Sequence, residues 1–135
     1  MTDLLTENGQ GSCKPGRTGI ARIIAATGYS WKGFKQAWQN EAAFRQELVL
    51  AVLLLPAACW LGQDAKEIAL LIGVCLIVLI TELLNSAVEA VVDLASPVQH
   101  PLAGMAKDMG SAAVFVSLAL VALVWGSVIW CRFVV

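Results

Sequence analysis

The chain has 135 residues, 59% hydrophobic and 14% charged, with a formal net charge of −1. Soluble domains are roughly 25% charged, so a single domain of this length carries more apolar surface than it can bury, and a membrane protein is expected. The charge balance offers no strongly basic face and excludes nucleic acid as the expected partner.

Residues 1–18 are polar and Gly-rich, without periodicity, and read as a disordered tail. The first apolar run comes too late to serve as a signal peptide. From Gly19 to about residue 40, Ile20, Ile23, Ile24, Trp31, Phe34 and Trp38 recur at roughly helical spacing, with Arg22, Lys32 and Lys35 between them. Basic residues interleaved with tryptophans predict an amphipathic helix lying in the membrane interface. Gly28 and Gly33 predict a break or bend in it. A soluble helix docked on a partner is the alternative.

Three apolar runs follow. Leu48 to Leu61 is about 14 residues with Pro56 inside, Ile68 to Thr81 is about 14, and Met109 to Cys131 is about 23, the last long enough to span a bilayer alone. Extended through their flanks they predict transmembrane helices over about 42–62, 65–95 and 104–133, with Arg45 and Glu47 near the interface. The fold class expected is all-α with three transmembrane helices. Lys14, Arg17, Arg22, Lys32, Lys35 and Arg45 precede the first span, so the amino terminus is expected in the cytoplasm and the carboxyl terminus outside. Cys13, Cys59, Cys75 and Cys131 have no metal-ligand spacing, and those in apolar runs read as small hydrophobes.

On the second span, Glu82, Asn85, Glu89 and Asp93 fall within roughly 80° of one another at 100° per residue. Acids near the bilayer centre cost about 2.5–3.5 kcal/mol each on the insertion scale, and several on one face repel unless a cation lies between them. A divalent metal or a Lys or Arg from a neighbouring helix would answer that repulsion. A network gluing helices together is the competing reading. Glu41, Arg45 and Glu47 offer further groups, although Glu41 and Arg45 also fit a plain surface pair. Lys107, Asp108 and Ser111 stand at the entry to the third span, where Lys107 also fits a snorkelling role. No GKS or GKT follows the glycines of GYSWKGFK, and no kinase-type HRD and DFG follow either. His100 sits in a Pro-flanked loop, away from any triad.

RII at Arg22–Ile24 with GYSWKG at Gly28–Gly33, AWQNEAAFRQE at Ala37–Glu47, ELLNSAVEAVVD at Glu82–Asp93 and AKDMGSAAV at Ala106–Val114 closely resemble the bacterial integral-membrane diacylglycerol kinases, in particular the Gram-negative branch. The resemblance implies a homotrimer in the bacterial inner membrane, with sites shared between subunits. It also implies transfer of the γ-phosphate of MgATP to the primary hydroxyl of diacylglycerol. Carried over by position, Glu41 and Glu89 would hold Mg2+, Glu82 would be the general base, Asn85 would order the site and Lys107 would meet the phosphates. Arg22, Tyr29 and Asp108 would be further nucleotide contacts, Glu47 a nucleotide or lipid contact, and Ser30 and Ser111 lipid contacts. Ala25 and Leu94 depart from positions often basic in relatives. Undecaprenol kinase is the rival enzyme, and a non-enzymatic channel or assembly subunit the rival of another class.

Overall fold

The computed structural model describes residues 19–96, Val98 and residues 100–134. The expected disordered tail and Cys13 lie outside the described residues. Four helices follow in order: α1 over Ile20–Asn40, α2 over Ala42–Leu61, α3 over Ala65–Ala95 and α4 over Pro101–Phe133. All the described secondary structure is helical, and α2, α3 and α4 are long and apolar enough to cross a membrane.

The chain divides into two compact units, Met1–Gly33 and Phe34–Val135. In the first, Ile20, Ile23, Ile24, Tyr29 and Trp31 are all exposed, and the Lys32 ammonium stands 6.0 Å from the centre of the Tyr29 ring. The predicted break is absent: α1 runs through Gly28 and Gly33. A glycine costs only about 1 kcal/mol in a helix interior, too little to stop one whose neighbours propagate it.

The second unit opens with a corner. Helix α1 ends at Asn40 because Glu41 is extended (φ −106°, ψ 113°), its N–H still bonded to Ala37 O at 2.8 Å. The Arg45 guanidinium reaches back from α2 to Trp38 O at 2.9 Å and Gln39 O at 3.2 Å, putting a cation on the carbonyl end of α1, where the helix dipole favours it. Phe44, fully buried, packs against Phe34 with ring centres 6.4 Å apart. Arg45 is therefore a helix cap rather than half of a surface pair with Glu41.

Helix α2 continues through Pro56 and ends at Gly62. A Cβ there would sit 2.5 Å from Ile68 Cγ1, so only glycine lets the chain turn this tightly into α3. Asp64 caps α3, accepting from Lys66 N at 2.8 Å and Glu67 N at 2.9 Å, the arrangement that satisfies otherwise orphaned helical N–H groups. At α4, His100 Nδ1 accepts from Leu102 N, and Pro101 occupies the first helical position, where its missing N–H costs nothing.

Helix α3 is the centre of this unit, packing chiefly on α4 and then on α2, while α2 and α4 touch little. Leu71, Val74 and Cys75 of α3, Ala58 and Leu61 of α2 and Trp125 of α4 form the apolar core. The Trp125 indole N–H donates to Leu71 O at 3.3 Å. Within the most apolar stretches, 33% of α3 but only 11% of α2 and α4 is buried, so the outer helices present most of their apolar side chains outward. Helix α3 has 31 residues against 20 in α2, and at 1.5 Å per residue it outruns its neighbour by roughly 16 Å.

Helices α3 and α4 pack tightly at Gly110, where an added Cβ would overlap Asn85 Oδ1. Gly110→Ala should therefore destabilise the α3–α4 pair by about 1–3 kcal/mol, the usual cost of overpacking. Thermal unfolding in detergent micelles should register this as a lower midpoint, and an unchanged midpoint would mean the helices separate freely here.

Candidate functional site: an acidic cluster at the end of the bundle

The polar face of α3 begins at Glu82, which is buried at 4% exposure. Three more carboxylates, Glu41 at the α1–α2 corner, Glu47 of α2 and Glu89 of α3, lie within electrostatic reach of it. Glu41 is free to take part because its side chain makes no capping bond. Asn85 Nδ2 donates to Glu89 Oε1 at 3.0 Å, as it must, since a carboxylate can only accept. That bond turns Asn85 Oδ1 inward toward α4, where it is buried without a partner, as is Glu47 Oε2. Buried polar atoms in native proteins are normally bonded. These two oxygens are unpartnered beside a group of mutually repelling carboxylates.

Magnesium takes oxygen ligands and is typically held by one or two carboxylates together with waters and substrate phosphates. Among the described residues, no group of three or more His, Cys, Asp or Glu side chains forms a metal cage within one chain. Glu41 and Glu89 are donors of the type that suits a hard cation sharing its coordination with phosphates. The donor set is all oxygen, and softer metals would want His or Cys.

Further toward the α3–α4 turn, the Lys107 ammonium bonds to Asp93 Oδ1 at 2.5 Å, with Glu89 also within its electrostatic reach. Lys107 is 38% exposed and Asp93 67%, so the pair contributes little stability, on the order of 0–1 kcal/mol. It lines an open cavity of about 650 Å³ together with Ser96, His100, Pro101 and Gly104. A second, apolar pocket of about 30 Å³ between α2, α3 and α4 has Glu47 at its rim, with Leu50, Leu54, Val78 and Leu118 along its walls.

Glu41, Glu82, Asn85 and Glu89 thus come together, and Lys107 stands beside them through Asp93. Asp108 and Ser111 are on α4 and exposed, while Arg22, Tyr29 and Ser30 are exposed on the first unit's part of α1. Sequence reasoning missed the Asp93–Lys107 pair, the orphaned Glu47 oxygen, and the closeness at Gly110. Glu47 carried a signal, being an acid one turn inside an apolar span. Gly110, within GSAA, carried none.

The family model for prokaryotic diacylglycerol kinase matches residues 28–129. The diacylglycerol kinase of Escherichia coli (strain K12) is 52% identical over 116 residues, covering 86% of this chain and 95% of that protein. That of Pseudomonas aeruginosa is 53% identical over 114 residues, 84% of this chain and 93% of the relative, and that of Helicobacter pylori (strain 26695) 42% identical over 112 residues, 83% and 88%. The matched stretch contains the corner, the acids of α3 and the Lys107 region. The chain belongs to the prokaryotic diacylglycerol kinase family.

Proposed function

We propose that the protein is a membrane lipid kinase that transfers the γ-phosphoryl group of ATP to the primary hydroxyl of diacylglycerol, releasing ADP and phosphatidic acid. The observation that carries this reading is Glu82, a carboxyl buried in an apolar bundle yet surrounded by three further acids and two unpartnered oxygens. A network that only glued helices together would pair its members, whereas here Glu47 Oε2 and Asn85 Oδ1 are left without a partner among the carboxylates. Family membership excludes the non-enzymatic channel or assembly subunit.

In the transfer, the lipid hydroxyl oxygen bonds to the γ-phosphorus, the bond from phosphorus to the β–γ bridging oxygen breaks, and the hydroxyl proton goes to the Glu82 carboxylate. Phosphoryl transfer asks mainly for in-line positioning and for cations on the phosphate oxygens. Glu82 accepts the proton from a hydroxyl held beside it, which is the geometry a general base requires. Asn85 holds Glu89 through its amide. Glu41 and Glu89 are the carboxylates assigned to magnesium, which when bound neutralises charge on the phosphates. The cavity lined by Asp93, His100 and Lys107 has the size and polarity for the nucleotide, and Lys107, held there by Asp93, exchanges that carboxylate for phosphate oxygens. Arg22, Tyr29 and Asp108 as nucleotide contacts, and Ser30 and Ser111 as lipid contacts, rest on the resemblance alone.

The same reading includes a homotrimer, with the amino terminus in the cytoplasm and the carboxyl terminus outside. A single bundle leaves the outer helices largely uncovered and an acidic cluster with too few partners, which association with further copies would relieve. The first half of α1, exposing Ile20, Ile23, Ile24 and Trp31 beside Arg22 and Lys32, is assigned to the membrane interface.

The test is transfer of labelled γ-phosphate from MgATP by purified protein in mixed micelles, with diacylglycerol and undecaprenol offered separately. Transfer to diacylglycerol that disappears in Glu82→Gln is expected; a preference for undecaprenol would change the substrate, and no transfer to either would end the proposal. Glu89→Gln should lower Mg2+-dependent turnover by about a hundredfold or more while the detergent-extracted oligomer stays intact, and normal turnover would remove Glu89 from the metal site. Lys107→Ala should raise the KM for MgATP about tenfold with little change for the lipid. Equal effects on both substrates would contradict its phosphate role.

A further inference from the structure

Among the described residues the two fully buried polar side chains are Glu82 and Ser117, each 4% exposed. Glu82 has a role in the reading above and Ser117 has none. Ser117 stands on α4 two helical turns beyond Gly110. Its hydroxyl donates to Val114 O at 2.7 Å, which leaves its oxygen to accept from Thr81 Oγ1 of α3 at 3.0 Å. Thr81 Oγ1 also lies 3.0 Å from Ile77 O and 2.8 Å from Val78 O, so its single proton is shared among three acceptors, of which Ser117 Oγ is the one across the interface.

The position of this pair is what gives it a consequence. Thr81 and Asn85 are one turn apart on α3 and both meet α4, at Ser117 and at Gly110. Two contacts on one face fix the rotation of α3 about its own axis. Glu82 follows Thr81 and projects 100° further around the helix, toward Glu47 of α2 and Glu41 of the corner. The rotation set on the α4 side therefore determines where the Glu82 carboxyl points on the α2 side. Steric contact at Gly110 stops α3 and α4 approaching further, whereas the hydroxyl bond is directional and resists slip and rotation.

We propose that the Thr81–Ser117 hydroxyl pair is a positioning device for Glu82, holding its carboxyl where the lipid hydroxyl is deprotonated. The proposal rests on the reading of Glu82 as the base. Neither hydroxyl touches substrate; the pair acts through the orientation of α3.

Steady-state kinetics of the full-length protein in mixed micelles, with MgATP and diacylglycerol each varied, test this directly. Thr81→Val keeps the shape of the side chain and removes the hydroxyl, Thr81→Ser keeps the hydroxyl, and Ser117→Ala removes the partner. The expected result is a fall in kcat of about tenfold in Thr81→Val and Ser117→Ala, the scale of a small misplacement of a reacting group. KM for either substrate should stay within about twofold, and Thr81→Ser should turn over as the parent does. Unchanged kcat in both hydroxyl-free variants, or a Thr81→Ser variant as slow as Thr81→Val, overturns the proposal. So does loss of helical circular dichroism in Thr81→Val, because the pair would then be a folding element alone. Glu82→Gln, run in parallel, separates the two claims. Full turnover in it removes the base assignment and this inference together, while an inactive Glu82→Gln beside unaffected hydroxyl variants removes only the positioning.

Discussion

Helix α3 has to satisfy two demands along one axis. Through Leu71, Val74, Cys75 and Val78 it supplies four of the nine buried apolar side chains among the described residues, more than any other helix. One turn later the same helix carries Glu82, then Asn85 and Glu89. A buried carboxyl in an apolar bundle costs several kcal/mol unless its surroundings compensate, so everything packed on α3 near this transition is constrained by it. Helix α4 answers on one side with a glycine and a hydroxyl, and α2 and the α1–α2 corner answer on the other with two more acids. The extra acids raise the cost rather than lower it. In the proposed reading that cost is met by what the cluster binds.

The corner at Glu41 is the second part of that arrangement. An extended residue between two helices leaves carbonyls exposed at the end of the first, and Arg45 covers two of them. With the guanidinium spent on Trp38 and Gln39, no cation is drawn from the corner to neutralise Glu41. The buried Phe44 ring fixes the turn from below. The sequence AWQNEAAFRQE thus encodes a cap, a plug and a free carboxylate within eleven residues.

What was legible in the sequence followed from periodicity. Apolar runs and their total content were enough to expect helices able to cross a membrane, and 100° per residue was enough to put Glu82, Asn85 and Glu89 on one face. The long motifs carried the family. Partnerships between helices were not legible, because sequence spacing does not say which side chains meet across an interface. Asp93 belonged to the acidic stripe and Lys107 to the entry of the next span, yet their bond depends on the α3–α4 turn returning the chain at the right height. Arg45 was expected at the interface or on Glu41, and the carbonyls that hold it exist only because α1 stops at Asn40. Thr81 and Ser117 are ordinary residues in apolar runs, and only their meeting gives either one significance. The expected break at Gly28 and Gly33 failed for the opposite reason, since local propensity was given more weight than the helix around it.

The mismatch in length between α2 and the α3–α4 hairpin has a consequence for the membrane itself. A hydrocarbon layer of about 30 Å matches a helix of 20 residues, so a bilayer fitted to α2 would leave the surplus length of α3 and α4, with Asp93 and Lys107, outside the lipid. In a thicker bilayer the hairpin would be drawn inward and its ion pair would enter lipid, and in a thinner one Glu82 would meet water. Bilayer thickness would then bear on the hydration of the acidic cluster, by way of where one helix ends.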